Sequence, residues 1–385
     1  MLRFLTAGES HGPGLVAIVE GLPKGIEVTA EHFAPPPPPP PPGHGRGARM
    51  TIEQDELEIL GGIRHGRTLG SPVAVVVRNT EWPRWQEVMG VEPSEAGNPV
   101  TRPRPGHADL AGMIKYGTDD ARDILERASA RETAARTIVG TLAKRLLSHL
   151  GMQVLSHVVA IGDVTSEGAL PRAEDSETID ESPVRCLDPD ASAAMVEAID
   201  RAADEKDTLG GVFEVIAHGV PFGLGSHVHH DRRLDGLLAA ALMSIPGVKG
   251  VGIGDGFDLA SLPGSKAHDE IHPGKSVPRR ESNHSGGLEG GMSIGEPIRA
   301  RAAMKPLSTL MRPLATVDVR SGQPAQAVRE RSDVCAVPAA AVVGEQMMAW
   351  VLASETQRKF GGDTVEELTR SFNAFIRSVE DRFGR

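Results

Sequence analysis

The apolar positions of this chain follow two different spacings, which predict strands in some segments and helices in others. Apolar runs at 2–7, 15–22 and 71–78 have the length and composition of buried strands. Between Ala134 and Leu150 the apolar residues recur every four positions, as in a helix that buries one face. The pattern therefore predicts early strands followed by a long amphipathic helix over about 130–150.

Cap residues mark both ends of that helix. Ser129 and Glu132 have the spacing of a capping box, and Gly151 suits the left-handed position that follows a helix. The proline-rich stretch 80–106 is predicted to be a loop. Further helices are predicted at about 190–205, 231–244, 339–357 and 364–381, with strands at 210–220 and 248–254.

Strands and long helices alternate with no linker between them, which predicts an α/β (α+β) architecture in one domain spanning residues 1–385. Hydrophobic residues make up 39% of the chain and aromatic residues only 3%, so the core must be mainly aliphatic. A run of eight prolines, Pro35–Pro42, interrupts the pattern. It is either a polyproline II rod of about 25 Å or a stretch of unidentified residues, which we favour because no low-complexity linker flanks it.

Charge and cysteine content exclude several classes of protein. The net charge of −11 argues against a nucleic-acid binder, which would show a basic face. Two cysteines provide no disulfide framework, which favours a reducing compartment. No apolar run approaches the length of a membrane span, and no signal-peptide pattern opens the sequence. We therefore expect a cytoplasmic protein without membrane or nucleic-acid partners.

Five segments concentrate arginine, histidine, serine and glycine between plain helices and strands: "GESHG" (8–12), "GRGARM" (45–50), "RPRPGHADL" (102–110), "ERASARET" (126–133) and "RSDVCAVPAA" (331–340). Each alone has an ordinary structural explanation, such as a solvated turn at His11 or a surface turn at His107. In combination they supply cations for an anionic ligand and histidines for proton transfer. His227 and His229 would share one face of a strand, but no third metal ligand can be placed.

These segments resemble those of chorismate synthases in order and spacing from residue 1 to about 365. "KYGTDDARDILERASARETAAR", "MSIPGVKGVGIGDGF", "GGLEGGM" and "MKPLSTL" extend the match. The resemblance implies a β-α-β sandwich, a homotetramer, and a lyase that converts 5-enolpyruvylshikimate 3-phosphate to chorismate by 1,4-elimination of phosphate, the last common step of the shikimate pathway. It also implies a need for reduced FMN (FMNH2), which an external flavin reductase would supply, although the reaction has no net redox change.

The resemblance also implies roles for individual residues. His11 matches the histidine that protonates the leaving phosphate, His107 the one near the flavin, and Asp333 the acid that helps the flavin N5 act as a base. The residues implied to bind substrate are Ser10, Arg46, Arg49, Arg104, Arg131 and Arg331. Those implied to bind the flavin are Arg127, Ala128, Ser129, Pro246, Gly247, Gly290, Lys305, Pro306, Leu307, Ser308, Thr309 and Arg331.

Two alternatives stay open from the sequence. The enzyme could also reduce FMN with NADPH, as fungal members of the family do, although the sequence has no additional nucleotide fingerprint. A scaffold bound through its polyproline rod is the non-enzymatic alternative. The chain departs from the family at His44, where tyrosine is usual, at His230, where tryptophan is usual, and at Pro40, where an arginine is expected.

Overall fold

Two antiparallel sheets enclose a layer of helices in the computed structural model, which describes residues 2–33, 56–93, 99–274, 276–329 and 333–384. The strand order in the first sheet is β1 (Arg3–Ala7), β2 (Gly14–Glu20), β6 (Val73–Arg78) and β3 (Glu56–Gly61). The order in the second sheet is β10 (Val248–Ile253), β15 (Ile298–Met304), β9 (Gly211–His218), β7 (Gln153–Ile161) and β8 (Val164–Thr165). This arrangement confirms the predicted α/β class and the β-α-β sandwich. The proline run and the segment "GRGARM" lie outside the described residues.

The described strands are β1 (Arg3–Ala7), β2 (Gly14–Glu20), β3 (Glu56–Gly61), β4 (Ile63–Arg64), β5 (Arg67–Thr68), β6 (Val73–Arg78), β7 (Gln153–Ile161), β8 (Val164–Thr165), β9 (Gly211–His218), β10 (Val248–Ile253), β11 (Ile271–His272), β12 (Arg279–Arg280), β13 (Leu288–Glu289), β14 (Met292–Ser293), β15 (Ile298–Met304), β16 (Ala315–Val317) and β17 (Pro324–Gln326). The described α-helices are α1 (Trp82–Met89), α2 (Asp109–Tyr116), α3 (Arg122–Ala128), α4 (Thr133–His149), α5 (Ser176–Glu181), α6 (Pro189–Asp204), α7 (Leu234–Met243), α8 (Gly264–Ala267), α9 (Val337–Phe360) and α10 (Val365–Phe383).

The first sheet buries one face because its side chains alternate along each strand. Leu15, Ala17 and Val19 of β2 are each 1% exposed, and they belong to the same apolar cluster as Leu142 and Leu146 of α4. Ala17 pairs with Val75 of β6, which is fully buried. The sheet therefore packs its aliphatic face on the amphipathic helix that the four-residue spacing predicted.

Helices α4 and α9 lie in the middle of the sandwich and approach each other closely at Gly140. A Cβ at this position would lie 2.1 Å from Cβ of Gln346 on α9 and 2.6 Å from its Cα. Contacts under 3.0 Å with a helix backbone cannot be relieved by turning a side chain. The absence of a side chain at Gly140 thus sets the distance between the two central helices.

We therefore expect Gly140→Ala to lower the free energy of unfolding by at least about 1–3 kcal/mol, the usual cost of overpacking. Gly236→Ala is the matched control, because Gly236 lies in α7 with no atom within 4 Å of an added Cβ. Alanine there is expected to be neutral or stabilising by up to about 1 kcal/mol. Urea denaturation of both variants measures the difference, and equal stabilities would contradict this account.

The long apolar helix α9 meets the length and composition of a membrane span, but 78% of its most apolar window is buried inside the protein. It packs against β7 and β9 of the second sheet and against α4. Trp350 on this helix also contacts Phe4 of β1, edge to face, with the ring centroids 5.0 Å apart. These contacts on both sides identify α9 as the core helix of the sandwich.

The outer face of the second sheet carries a buried ionic cluster centred on Glu214 of β9. Glu214 is 1% exposed and accepts hydrogen bonds from Nη2 of Arg299 at 3.2 Å and from Nε of Arg301 at 3.0 Å. Nε2 of His157 on β7 lies 3.3 Å from its other oxygen. Burial raises the pKa of Glu214, but the hydrogen bond from His157 and the charges of both arginines outweigh burial and lower this pKa to about 2.

Two local predictions about the helices are wrong. The stretch 80–106 contains helix α1, because Pro83 lies in the first helical turn, where its missing N–H costs nothing. Ser129 caps a short 3₁₀ turn, and α4 begins only at Thr133. The expected capping box does not form because Glu132 instead accepts hydrogen bonds from Arg136 and from Oγ1 of Thr6, both at 2.8 Å.

Candidate active site

The loop that follows β1 brings His11 against helix α3. A Cβ on Gly8 would lie 2.2 Å from the carbonyl oxygen of Gly14, and Gly8 has a φ of +101°, so only glycine fits this turn. The turn directs the backbone N–H of Ser10 to the carbonyl of Glu126 at 3.0 Å. The backbone N–H of His11 donates to Oε2 of Glu126 at 2.9 Å.

Glu126 is the buried partner of His11. Nδ1 of His11 lies 2.8 Å from Oε2 of Glu126, whose side chain is only 1% exposed. Nη1 of Arg122, one turn earlier on α3, donates to Oε1 at 2.8 Å. Burial raises the pKa of Glu126, but the hydrogen bonds and charge of His11, together with Arg122, outweigh it and hold this pKa below its ordinary value. An ionised Glu126 only accepts hydrogen bonds, so Nδ1 of His11 carries the shared proton.

A tryptophan covers the ring of His11. Trp85 of α1 stacks on the imidazole with ring centroids 4.0 Å apart and an angle of 29° between the planes. The guanidinium of Arg122 lies 5.2 Å from the centroid of the same indole. The side chain of His11 is consequently only 12% exposed.

Two arginines of the segment "ERASARET" reach the same loop. Nη1 of Arg127 donates to the carbonyl of Gly8 at 3.0 Å, and Nη2 of Arg131 donates to Oδ1 of Asn79 at 3.1 Å. Asn79 in turn donates to the carbonyl of Gly12 at 2.7 Å. Oγ of Ser129 donates to Oγ of Ser10 at 3.3 Å. The first cluster thus joins His11, Ser10 and two cations at the end of β1.

A second cluster forms around Asp109, the first residue of α2. This fully buried carboxylate accepts hydrogen bonds from the backbone N–H of Arg104 at 3.0 Å and from its Nε at 2.9 Å. Nδ1 of His107 contacts its other oxygen. Burial raises the pKa of Asp109, but hydrogen bonds from His107 and Arg104 hold it well below its ordinary value. Arg104, itself 7% exposed, also donates from Nη1 to Oγ1 of Thr309 at 3.0 Å.

The segment from Lys305 to Thr309 packs along this second cluster. Nζ of Lys305 donates to the carbonyl of Gly106, and the backbone N–H of Lys305 donates to the carbonyl of Gly247 at 2.9 Å. Burial and the nearby charge of Lys249 lower the pKa of Lys305. Lys305 therefore places a cation beside the loop of His107, where it could meet an anionic ligand.

The two clusters are connected by the chain between them. Arg104 and His107 precede α2, while Arg127 and Arg131 belong to α3 and the turn that follows it. Met113 of α2 and Leu125 of α3 share a small apolar cluster, which fixes the two helices against each other. The α2–α3 pair thus connects the two clusters: Asp109 begins α2, and Glu126, the partner of His11, lies on α3.

The remaining predicted site residues are distributed around these clusters or lie outside the described residues. Pro246 and Gly247 form the turn between α7 and β10, and Gly290 forms the turn between β13 and β14, with a φ of +57°. Asp333 is half-buried before α9, and its charge, added to burial, raises the pKa of Cys335 to about 11. Arg46, Arg49 and Arg331 lie outside the described residues.

Sequence reasoning did not identify Glu126, Asp109, Asn79 or Trp85 as parts of the site. Asp109 lies within "RPRPGHADL", two residues after His107, so the sequence already indicated that the two side chains are close. Glu126 opens "ERASARET", but only folding brings it to His11, which is 115 positions earlier. Trp85 and Asn79 lie in or near the stretch expected to be a loop.

The histidines at 227–230 do not form the predicted strand face. His227 and His229 lie in an irregular segment, and the rings of His229 and His230 pack 4.5 Å apart beside a short 3₁₀ turn. His229 pairs with Asp231 at 2.9 Å in an exposed position. Among the residues described, no group of three His, Cys, Asp or Glu side chains is arranged to hold a metal ion.

The chain is similar in sequence to known proteins over nearly its whole length. A sequence model of the family described as chorismate synthase matches residues 2–356. A chorismate synthase of Salinispora tropica is 59% identical over 386 residues, covering 98% of both chains. One of Thermobifida fusca is 57% identical over 390 residues, covering 98% of this chain and 99% of the relative.

A solved structure gives the same result at the level of the fold. A crystal structure of a chorismate synthase superposes with a TM-score of 0.78 at 40% sequence identity. The match covers 99% of this chain and 98% of the other, so the two folds agree over nearly their full lengths. Because sequence and fold agree over nearly the full length of each relative, this chain belongs to the chorismate synthase family, a family of lyases.

Proposed function

We propose that this chain converts 5-enolpyruvylshikimate 3-phosphate to chorismate and phosphate by a 1,4-elimination that depends on reduced FMN. The observation that carries the proposal is a pair of contacts between a histidine and a buried carboxylate, His11–Glu126 and His107–Asp109, with Arg122 beside the first and Arg104 beside the second. The substrate has two carboxylates and one phosphate, which need such arginines. The reaction also needs proton donors beside a departing anion.

The basic residues of the site bind and orient the substrate in this proposal. Arg104 and Arg131 are held by Asp109 and Asn79, so their guanidinium groups are fixed before the ligand arrives. Bidentate hydrogen bonds from arginine suit carboxylate and phosphate oxygens. Ser10, Arg46, Arg49 and Arg331 complete the proposed substrate-binding set, as the family motifs imply.

Three residues have proposed roles in proton transfer. His11 gives a proton to the leaving phosphate from Nε2, since Glu126 holds Nδ1. His107, oriented by Asp109, is proposed to hold its proton next to the cofactor. Asp333 is the proposed acid that assists proton removal from the substrate carbon. General acid–base groups of this kind each contribute roughly 10²–10⁴-fold to the rate.

The residues proposed to hold FMN fit an anionic cofactor. Mutual repulsion between Lys305 and Lys249 adds to burial in lowering the pKa of Lys305, and the phosphate of FMN would relieve this repulsion. Reduced flavin, when bound, supplies electron density that eases departure of the phosphate. The proposed set is Arg127, Ala128, Ser129, Pro246, Gly247, Gly290, Lys305, Pro306, Leu307, Ser308, Thr309 and Arg331.

We further propose that the chain folds as a single domain and assembles into a homotetramer. The proposed enzyme works in the cytoplasm and receives reduced flavin from an external flavin reductase. The single domain is supported by one apolar cluster that includes residues from Leu2 to Phe372 and draws on both sheets. The family supports the other parts. Size-exclusion chromatography with light scattering tests the tetramer, and a monomer at micromolar concentration would contradict it.

Anaerobic phosphate release tests the function. The purified protein is mixed with 5-enolpyruvylshikimate 3-phosphate, with chemically reduced FMN, oxidised FMN or no flavin. Phosphate and chorismate are expected to appear in equal amounts with reduced FMN alone, and no phosphate release with reduced FMN would refute the proposal. A further sample receives NADPH and oxidised FMN without a reductase. Bleaching of the flavin there would show that the enzyme also reduces its own cofactor.

A further inference from the structure

His11 is held at two places, at its ring nitrogen and on its ring face. Glu126 binds Nδ1 at 2.8 Å and also accepts the backbone N–H of the same residue at 2.9 Å. Trp85 covers the imidazole with a centroid separation of 4.0 Å. A histidine with both the side-chain torsions and the ring face restrained can present Nε2 in only one direction.

Glu126 and Trp85, the two residues that restrain His11, lie on different helices. Glu126 lies on α3 and Trp85 on α1, and Arg122 bridges them by donating to Glu126 at 2.8 Å while its guanidinium lies 5.2 Å from the indole centroid. Helix α1 has no fully buried residue of its own, so apolar burial does little to fix its position. The stacking contact between Trp85 and His11 therefore helps to hold this helix where it lies.

We propose that Glu126 and Trp85 are positioning residues that hold the ring of His11 with Nε2 facing the substrate, and that Trp85 reports the protonation of His11. Glu126 contacts both Nδ1 and the backbone N–H of His11, which restrains rotation of the ring. Trp85 restrains the ring and keeps water from its covered face. This inference rests on the proposed role of His11 as the proton donor.

Other charged groups near the imidazole of His11 also affect its protonation. From α3, Glu126 contacts the ring, and Arg122 binds the other oxygen of the same carboxylate; the two have opposite effects on a cation. The charged groups on the other neighbouring elements are Glu9 on the loop of His11 and Glu81, Arg84 and Glu87 on or beside α1. Glu81 and Arg84 neutralise each other at 3.5 Å.

Fluorescence gives a readout that does not depend on activity. The chain has three tryptophans, so Trp82→Phe with Trp350→Phe leaves Trp85 as the single indole. Protonated imidazole quenches a stacked indole. We therefore expect the emission of Trp85 in the apoprotein to increase as the pH is raised, in one transition between about pH 5 and 9, where histidine titrates. His11→Asn in this background is expected to abolish the transition. A transition that persists in His11→Asn would overturn the proposal.

Two charge variants test the direction of the effect. Glu126→Gln removes the anion, so the fluorescence midpoint is expected to move to lower pH by about one pH unit or more. Arg122→Gln removes a competing cation, and its midpoint is expected to move to higher pH. Arg122→Gln keeps the proposal testable if Glu126→Gln does not fold. Unchanged midpoints, or movements in the opposite direction, would overturn the role of the carboxylate.

Kinetics test the role of the indole. Trp85→Ala is expected to lower kcat about tenfold with KM changed less than about twofold, because the proton donor is misplaced while the arginines still bind substrate. Trp85→Phe keeps a stacking ring and is expected to restore kcat to within about threefold of the wild type. An unchanged kcat in Trp85→Ala, or a failure of Trp85→Phe to rescue it, would overturn the role of the stack.

The two sets of outcomes separate this inference from the proposed function. If the fluorescence transition is absent while reduced FMN supports phosphate release, the positioning inference is wrong and the function stands. If the transition and the expected midpoint changes appear but no phosphate is released, the proposed function is wrong while the contacts of His11 are confirmed.

Discussion

His11→Ala and His107→Ala are each expected to lower kcat at least tenfold, and by up to about 10⁴-fold, while the folded state persists. Each side chain contacts a buried carboxylate that orients its ring, so alanine removes a proton donor and leaves the remaining site in place. Stopped-flow phosphate release with excess reduced FMN measures the rate, and circular dichroism measures the fold.

A matched histidine elsewhere controls for a general effect of the substitution. His149 lies in the last turn of α4, is exposed, and pairs with Oγ1 of Thr369 at 3.0 Å. His149→Ala is expected to keep kcat within about twofold of the wild type because it touches neither cluster. Wild-type turnover in both His11→Ala and His107→Ala would contradict the assignment of the two histidines.

Glu214→Gln is expected to lower the free energy of unfolding by about 3 kcal/mol at neutral pH, without a comparable loss of turnover. The partners of Glu214 lower its pKa to about 2 against the effect of burial. A tenfold change in an ionisation equilibrium corresponds to about 1.4 kcal/mol. Glutamine would leave the largely buried guanidinium of Arg299 facing a neutral group, whereas Arg301 is 43% exposed and stays hydrated. Denaturation by urea at pH 7 measures the loss.

The dependence of this effect on pH has a definite sign. A carboxylate whose pKa is depressed in the folded protein stabilises it above the ordinary pKa of glutamate, and this contribution is lost as pH falls towards 2. The stability difference between wild type and Glu214→Gln should therefore be largest above about pH 5 and shrink at lower pH. A difference that grows on acidification would contradict the account.

An exposed carboxylate provides the control for charge removal. Glu58 of β3 pairs with Nη2 of Arg78 at 2.6 Å, but both side chains are about half exposed. Solvent screens this pair, so Glu58→Gln is expected to cost no more than about 1 kcal/mol. Equal losses for Glu58→Gln and Glu214→Gln would show that burial of the ionic cluster does not determine its contribution.

The periodic segments were predictable because their pattern reflects which face is buried. The four-residue spacing between Ala134 and Leu150 predicted α4 to within three residues at its start and one at its end. The predicted capping box failed because one of its side chains has a distant partner. Glu132 leaves the expected capping box because Thr6 and Arg136 bind it, and no local rule includes Thr6.

The sequence by itself determined the alternation of strands and helices, the aliphatic core and the family, because these depend on residue type and order along the chain. Only the tertiary structure decided which carboxylate and which aromatic ring hold His11. Asp109 is two residues from His107, but Glu126 is 115 positions from His11 and Trp85 is in a segment with little periodicity. A contact between distant segments depends on how the sheets and helices pack. Local patterns of residue type do not reveal which distant side chains will meet.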